Sequence, residues 1–300
     1  MATIPVQVGT LEEPGRSSVS RILALLQTLR RKPLGAFSAA LLVMIVFTAI
    51  FADVLAPYDP LETHPEIRLS APSRAHFFGT DDIGRDVFSR IIYGSRISLW
   101  VGLLAVGIGT AAGMVIGLLC GYCEGRLDLI TQRFMDAIQA IPALVLALAI
   151  VSVLKPSTTN AMLAIAIVII PGNSRIVRGA VLTAKQNRYV EAAQAMGCRH
   201  PRIITSHILP NVTAPILVIA SIWLGNAILI EATLSFLGVG TQPPTPSWGL
   251  MLSSTGRAFM EQAPWLAIFP GLAISLAVLG FNLFGDTLRD AWDPKLRRQG

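Results

Sequence analysis

Long apolar runs constrain this chain more than any other feature of its sequence. Hydrophobic residues make up 53% of the 300 positions and charged residues only 14%, a balance that is far from that of a soluble domain. The apolar residues are collected in runs long enough to cross a bilayer, which takes about 20 residues of helix. We therefore predict an all-α integral membrane protein with six transmembrane helices, at residues 34–56, 97–122, 133–154, 161–181, 212–236 and 265–285.

The polar stretches between these runs predict the topology. Six spans place both ends of the chain on one side of the membrane, together with the polar loop 184–211. Lys and Arg are concentrated on that side, so the positive-inside rule makes it cytoplasmic. The first run is too long for a signal peptide and lacks a cleavage site, so it is an anchor. The predicted organisation is a cytoplasmic tail 1–33 that includes a short surface helix, a first span 34–56, a periplasmic or extracellular segment 57–96, a core transmembrane domain 97–290 and a cytoplasmic tail 291–300.

The loop 184–211 is the longest polar interruption in the second half of the chain. Residues 189–196 are good helix formers, and Gly197 then fits a helix stop. Pro201 suits the first turn of a second helix, which Pro210 is predicted to end. The sequence thus predicts two short helices projecting from the membrane, whereas a generic basic loop would contain more Gly, Ser and Asp. Small side chains that would let another protein approach the first helix are Ala192, Ala193 and Ala195.

Polar residues inside the predicted spans are candidates for a transport pathway, because such residues are costly in lipid. Glu231 lies about 20 residues into span five, hence about 30 Å along it and near the outer surface, which favours a gate or pathway role. Asp136 lies near a cytoplasmic end, where snorkelling or pairing with Arg133 is the expected explanation. The remaining pathway candidates are Asn173, Asn226 and Asn282.

Two outer segments offer contact surfaces. The acidic cluster in the first segment has two interpretations: a surface helix that neutralises itself through local ion pairs, or a contact with a partner protein. The second segment, residues 238–248, is stiffened by prolines and anchored by a tryptophan at the membrane interface; it is either a plug of the outer mouth or a plain re-entrant link. The contact candidates are Asp81, Asp82, Arg85, Asp86, Gln242 and Trp248.

Motifs of enzymes are absent from the sequence. It contains no phosphate-binding Gly-x-x-x-x-Gly-Lys-Ser/Thr, no Gly-x-Ser-x-Gly and no His-Glu-x-x-His. We therefore expect no catalytic residue, no metal site and no cofactor in this chain. The net charge of +6 follows from the basic loops and does not indicate nucleic-acid binding. A membrane-embedded enzyme and a channel are the alternatives to a transporter; the enzyme needs a convergent catalytic set, and the channel needs no docking loop.

Four segments resemble a known family. Glu191-Ala192-Ala193, Gly197 and Ile208-Leu209-Pro210 resemble the "EAA" loop of ABC importer permeases. Residues 76–90, 234–249 and 281–290 are similar to segments of the dipeptide and oligopeptide permeases. Together these matches cover residues 34–296, and the chain resembles the second, C-type, permease subunit of that group.

The resemblance implies a type I ABC importer permease fold in the bacterial inner membrane. It implies that Glu191, Ala192, Ala193, Gly197 and the run Ile208-Leu209-Pro210 form an ATPase-coupling loop. The implied partners are a homologous permease, two ABC ATPase subunits that bind ATP and Mg, and an extracytoplasmic substrate-binding protein. Di- or oligopeptides are the first expectation for the substrate, followed by glutathione and nickel.

Overall fold

The computed structural model describes residues 33–253 and 259–292, and the regular structure in these ranges is helical, apart from one isolated bridge between Thr80 and Asp86. Both predicted tails, except for Pro33, Ala291 and Trp292 at their inner ends, lie outside the described residues. The helices are α1 Pro33–Ile50, α2 Ala52–Leu55, α3 Val87–Cys123, α4 Gly125–Gln139, α5 Ala143–Leu154, α6 Thr158–Lys185, α7 Arg188–Ala195, α8 His200–Arg202, α9 Leu209–Phe236, α10 Trp248–Leu252 and α11 Trp265–Trp292, with a 3₁₀ turn Pro65–Ile67 and a π-helical segment Ile203–Ile208.

Five helical stretches of the described chain are long and apolar enough to cross a membrane, or up to six if a bent pair of helices counts as one span. The five correspond to α1, α3, α6, the continuous stretch His200–Phe236, and α11. The bent pair, α4 and α5, occupies the place of the third predicted span, 133–154. The predicted bounds differ from the structure there, because α4 already begins at Gly125 and meets α5 at an angle of 89°.

Pro142 explains the break. Proline has no N–H to donate and disfavours helical geometry at the residue before it. In the structure Ile141 and Pro142 are non-helical, and α5 resumes at Ala143.

Helix α3 starts ten residues earlier than the second span was predicted to start, at Val87 instead of Ile97. Asp86 caps it, its carboxylate accepting a hydrogen bond of 2.8 Å from the backbone N–H of Ser89. Its first arginines have carboxylate partners: Arg90 lies 3.7 Å from Asp81 and also donates to the carbonyl of Pro60, and Arg96 pairs with Asp53. Arg90 and Arg96, which fall within the predicted outer segment 57–96, therefore lie in the first three turns of a helix of 37 residues.

Helices α3 and α6 pack closely along several turns, and glycine makes that approach possible. Gly109, Gly113, Gly117 and Gly121 recur every four residues and face α6. A Cβ atom on Gly117 would lie 2.6 Å from the carbonyl oxygen of Ser174, and one on Gly109 would lie 2.7 Å from that of Ala166. Glycine at these positions removes the side chains that would hold the two backbones apart, which is the way small residues allow membrane helices to approach closely.

The molecule has two distinct polar ends. At one, here called the two-helix end, the loop 184–208 contacts the last turn of α3. At the other, the proline-loop end, residues 57–86 and 237–247 lie together over the starts of α3 and α11: the Trp265 indole donates to the carbonyl of Thr80 at 3.2 Å, and the Trp248 indole donates to that of Ile91 at 2.9 Å.

A prediction follows for the α3–α6 contact. Gly117→Leu should destabilise the protein by about 1–3 kcal/mol, because the added side chain would be forced into the backbone of α6. Gly107→Leu is the matched control, since a Cβ there has nothing within 4 Å. Thermal unfolding of the purified protein in detergent should show a lower midpoint for Gly117→Leu alone; equal midpoints for the two variants would contradict the proposed packing.

Candidate functional site

The first short helix of the loop, α7, ends as the sequence predicts. Gly197 has φ +76°, and its N–H donates to the carbonyl of Gln194 while that of Cys198 donates to the carbonyl of Ala193. This pair of bonds is the Schellman motif, in which a residue with positive φ follows the helix. A side chain at Gly197 would meet no neighbour but would be strained by the backbone conformation.

The second half of the loop differs from the prediction. Pro201 occupies the first turn of α8, as expected. Pro210, however, does not end a helix: α8 continues through the π-helical segment into α9, and the N–H of Leu209 bonds to the carbonyl of Ile204. A proline ring collides with the carbonyl four residues earlier in a regular α-helix, and the wider π turns just before Pro210 relieve that collision.

One face of the loop is buried against the rest of the chain. Val190, Ala193, Ile203 and Ile208 are almost fully inaccessible and pack with Val181 of α6 in one hydrophobic cluster. The prediction that Ala193 belongs to a small face open to another protein is therefore wrong, because its side chain, like that of Ile208, holds the loop onto the helix bundle. Leu209 is half-buried against the same cluster.

The exposed face of the loop includes most of the other predicted coupling residues. Glu191, Ala192, Ala195, Gly197 and Pro210 are all exposed in the isolated chain, beside the larger exposed side chains of Tyr189 and Met196. The loop thus has an inner apolar face that fixes its position and an outer face of mixed small, charged and apolar residues that is open to a partner.

A polar anchor that sequence reasoning missed ties the loop to α3. The phenol oxygen of Tyr122 lies 2.6 Å from Nδ1 of His200. The ammonium group of Lys185 donates to the carbonyl of Tyr122 at 2.9 Å and pairs with Glu124 at 2.8 Å. No sequence pattern indicates these contacts, because their partners are separated by about 60 to 80 residues.

At the proline-loop end the acidic cluster is largely engaged in internal bonds. Asp81 accepts hydrogen bonds from the backbone N–H groups of Ile83 and Arg85 and from the Arg85 side chain at 2.6 Å. Asp86 caps α3 and lies 2.9 Å from a ring nitrogen of His76. Local neutralisation is thus present, although in a buried turn and not on a surface helix. Asp82 is half-buried beside them.

Glu231 is not at an exposed gate but fully buried inside α9. Its carboxylate accepts hydrogen bonds from the hydroxyls of Ser235 at 2.8 Å, Thr241 at 3.2 Å and Ser98 of α3 at 3.4 Å. The Ser235 hydroxyl in turn accepts a bond from the N–H of Thr241. Glu231, Ser98, Ser235 and Thr241 are here called the Glu231 cluster. This cluster fixes the proline loop, residues 237–247, to the spans α3 and α9.

Other predicted residues of the proline loop support that loop internally. The Gln242 side-chain amide donates to the carbonyls of Gly238 and Gly240 at 3.0 Å. Trp248 is buried and packs against Gly94 of α3, so its expected place at the membrane interface was wrong. The indole ring can pack closely against α3 because Gly94 has no side chain and leaves room for it.

The three intramembrane asparagines have different surroundings in the structure. Asn173 is buried between α3 and α6 and donates to the Thr110 hydroxyl at 2.9 Å. Asn282 of α11 lies against Gly225 of α9, and Asn226 is half-buried on α9. Asp136 does not pair with Arg133 but with Arg175 of α6, because α4 turns its polar face toward α6.

The Glu231 cluster generates a prediction. Glu231→Ala should leave buried hydroxyls without an acceptor, at about 1–3 kcal/mol for each group left unsatisfied, and should loosen the proline loop. Glu231→Gln keeps an acceptor oxygen and should cost less. Limited proteolysis of the purified protein, with cut sites mapped by mass spectrometry, should show faster cleavage within residues 237–247 for Glu231→Ala than for Glu231→Gln. Equal protection of the loop in both variants would contradict this role.

Comparison with known proteins gives matches over most of the chain. Residues 113–298 match the model of the binding-protein-dependent transport system inner membrane component, and residues 23–72 match the N-terminal transmembrane domain of oligopeptide transport permease C. The dipeptide transport system permease protein DppC of Alkalihalophilus pseudofirmus is 46% identical over 90% of this chain and 88% of its own length.

Other relatives are named for the transport of other peptides. The glutathione transport system permease protein GsiD of Pectobacterium atrosepticum is 42% identical over 99% of this chain and 97% of its own length. The probable D,D-dipeptide transport system permease protein DdpC of Escherichia coli K12 is 45% identical over 89% of each chain. Among solved structures, a chain from inward-facing conformations of the MetNI methionine ABC transporter has a TM-score of 0.57 at 16% identity, covering 69% of this chain and 98% of that one; this similarity concerns the fold.

Proposed function

Since this chain belongs to the family of binding-protein-dependent transport system inner membrane components, we propose that it is the permease subunit through which an ABC importer carries di- or oligopeptides. The substrate class is supported by relatives at 42–46% identity, which are named for dipeptides, D,D-dipeptides and glutathione. Glutathione is itself a tripeptide and is the second candidate. These names favour peptides over nickel.

The proposed coupling surface is the exposed face of the loop, with Glu191, Ala192 and Gly197 inserted into a cleft of an ABC ATPase subunit. Its support is the two-faced construction of the loop, whose inner residues, including Ala193 and Ile208, transmit force to the bundle. ATP and Mg would be bound by the two ATPase subunits and not by this chain. A homologous permease would supply a second loop of the same kind.

The continuous helical stretch His200–Phe236 supports a mechanism for this coupling. One end of it belongs to the loop, and the other carries the Glu231 cluster beneath the proline loop. At about 1.5 Å per residue, its 37 residues reach about 55 Å. Closure of the ATPases would therefore tilt a single rigid element, and the proline loop at its far end would move with it, as alternating access requires.

The proline-loop end is the proposed contact face for the extracytoplasmic substrate-binding protein. Its surface includes the exposed residues Leu61, Glu62, Glu66 and Ile83, held in place by the buried Asp81 and Asp86. The two-helix end and both chain termini would then be cytoplasmic in a bacterial inner membrane, in agreement with the positive-inside rule.

Membrane orientation can be tested by cysteine labelling. After Cys120, Cys123 and Cys198 are replaced by Ser, a single cysteine at Glu66 should react with an impermeant maleimide in intact cells. A single cysteine at Arg188 should react only after the membrane is opened. Both positions are exposed, so access to the protein surface is matched. Labelling of the Arg188 position in intact cells would reverse the proposed orientation.

ATPase coupling can be tested by adding bulk on the two faces of α7. Ala192→Trp should leave the permease folded but reduce the ATP hydrolysis that loaded binding protein stimulates, because the exposed side chain blocks docking. Ala193→Trp should instead destabilise the permease, since that site is 1% exposed. Val153→Trp, at a position that is 84% exposed and belongs to neither proposed contact face, is the control for added bulk. Normal stimulated hydrolysis with Ala192→Trp would show that this face is not the docking surface.

A further inference from the structure

Helix α4 carries a polar stripe that the proposed coupling and gating roles do not use. Its members recur at spacings of four, four and three, so they lie on one helical face, and that face is turned toward α6. They are Asp128, Gln132, Asp136 and Gln139. Deepest in the stripe, Gln139 approaches Gly172 of α6, which also lies beside the Trp223 ring of α9.

Two ion pairs of different character join this stripe to α6. Arg178 donates two hydrogen bonds of 2.5 Å to the two carboxylate oxygens of Asp128, whose side chain is only 12% exposed. Arg175 and Asp136 form a single contact, with 54% and 43% of their side chains exposed. The Asp128–Arg178 pair is bidentate and largely shielded from solvent. The Asp136–Arg175 pair is open to solvent and can exchange partners.

Between the two pairs lies a donor without an acceptor. The side-chain nitrogen of Gln132 is buried and has no hydrogen-bond partner among the described residues. Gln132, Arg133, Asp136 and Arg175 line one open cleft, whose volume is about 290 Å³. An unpaired buried donor costs free energy that a ligand oxygen would recover.

The position of the cleft along α6 bears on what borders it. Arg175 lies ten residues before the end of α6, hence about 15 Å along the helix from that end, and α6 is long and apolar enough to cross a membrane. Half-exposed charges on a membrane helix are accommodated by a water-filled cavity in preference to acyl chains. In a permease, the cavity expected between membrane helices is the transport pathway.

We propose that this cleft is a binding site for the charged termini of the transported peptide on the two-helix side of the pathway. Asp136 pairs with the α-ammonium group of the peptide, and Arg175 and Arg133 pair with its α-carboxylate. The Gln132 side chain donates to the carboxylate or to a peptide carbonyl. The proposal rests on the peptide transport function proposed above, and it adds the residues and the class of ligand, a molecule with a free amino and a free carboxyl terminus.

The exchange of partners keeps the charges balanced. Binding opens the Asp136–Arg175 pair and forms new pairs of the same kind, and the zwitterionic peptide adds no net charge to the cleft. An exposed ion pair contributes little by itself, so little is lost when it opens. The bidentate Asp128–Arg178 pair meanwhile keeps α4 and α6 together.

The test is saturation-transfer NMR on the purified complex of permeases and ATPases in nanodiscs, without binding protein. Glycyl-leucine should give a signal from the wild-type complex, and N-acetyl-glycyl-leucine amide, which lacks both charges, should give none. The double variant Asp136→Asn, Arg175→Gln retains a hydrogen-bonding pair but no charges. It should weaken glycyl-leucine binding about tenfold or more, as expected for losing about 1.4 kcal/mol.

Two further variants separate binding from folding. Arg133→Gln changes an exposed side chain and should also weaken glycyl-leucine binding. Asp53→Asn with Arg96→Gln removes an exposed ion pair at the opposite end of the molecule and should leave binding unchanged. Glycyl-leucine binding as tight in the Asp136/Arg175 variant as in the wild type, or equal binding of the blocked dipeptide, would overturn the site.

Uptake of labelled glycyl-leucine into proteoliposomes, driven by binding protein and ATP, separates this proposal from the one on which it rests. If the wild-type complex takes up the dipeptide but the double variant binds it normally, the site is wrong and the peptide function stands. If the wild type fails to take up peptides, the proposed function and the site are both overturned.

Discussion

The near-contact of α3 and α6 backbones is the interaction on which the other parts of this molecule depend. Glycine at every fourth position of α3 removes the side chains that would hold the helices apart. In lipid there is little hydrophobic gain from helix association, so close van der Waals contact of this kind is a main source of stability. Helix α6 then carries both the polar contacts of α4 and the two-helix loop, and its position relative to α3 fixes both.

The loop is a surface element that is held firmly by its neighbours. Its inner apolar face packs on α6, and the Tyr122–His200 and Lys185–Glu124 contacts tie it to the end of α3. Because the π-helical segment lets the helix continue past Pro210, the loop is joined to α9 without a hinge. A force on the exposed face of α7 is thereby passed to the bundle instead of being absorbed by a flexible connection.

Polar groups inside the spans have two kinds of surroundings. The Glu231 carboxylate accepts from hydroxyls of its own helix, of the following loop and of α3, and the Asn173 nitrogen donates to a hydroxyl of α3; both residues are inaccessible, and the Asn173 side-chain oxygen has no partner among the described residues. The face of α4 uses arginines of α6 and keeps part of its charge exposed. The first arrangement fastens helices and loops together, while the second needs water beside it, which is why the α4–α6 cleft and not Glu231 is the better candidate for contact with a hydrophilic substrate.

The sequence alone determined the helical membrane fold, most of the spans, the family resemblance and the helix stop at Gly197, because these follow from apolar run length and from local backbone preferences. It did not determine the break at Pro142 or the continuation past Pro210, although both are prolines: whether a helix breaks depends on whether neighbouring turns can widen and on what packs beside them. Nor did it determine that Ala193 and Glu231 face inward or that Asp136 pairs with Arg175. Those outcomes depend on which helices are neighbours, and only the tertiary structure brings together residues that are far apart in the chain.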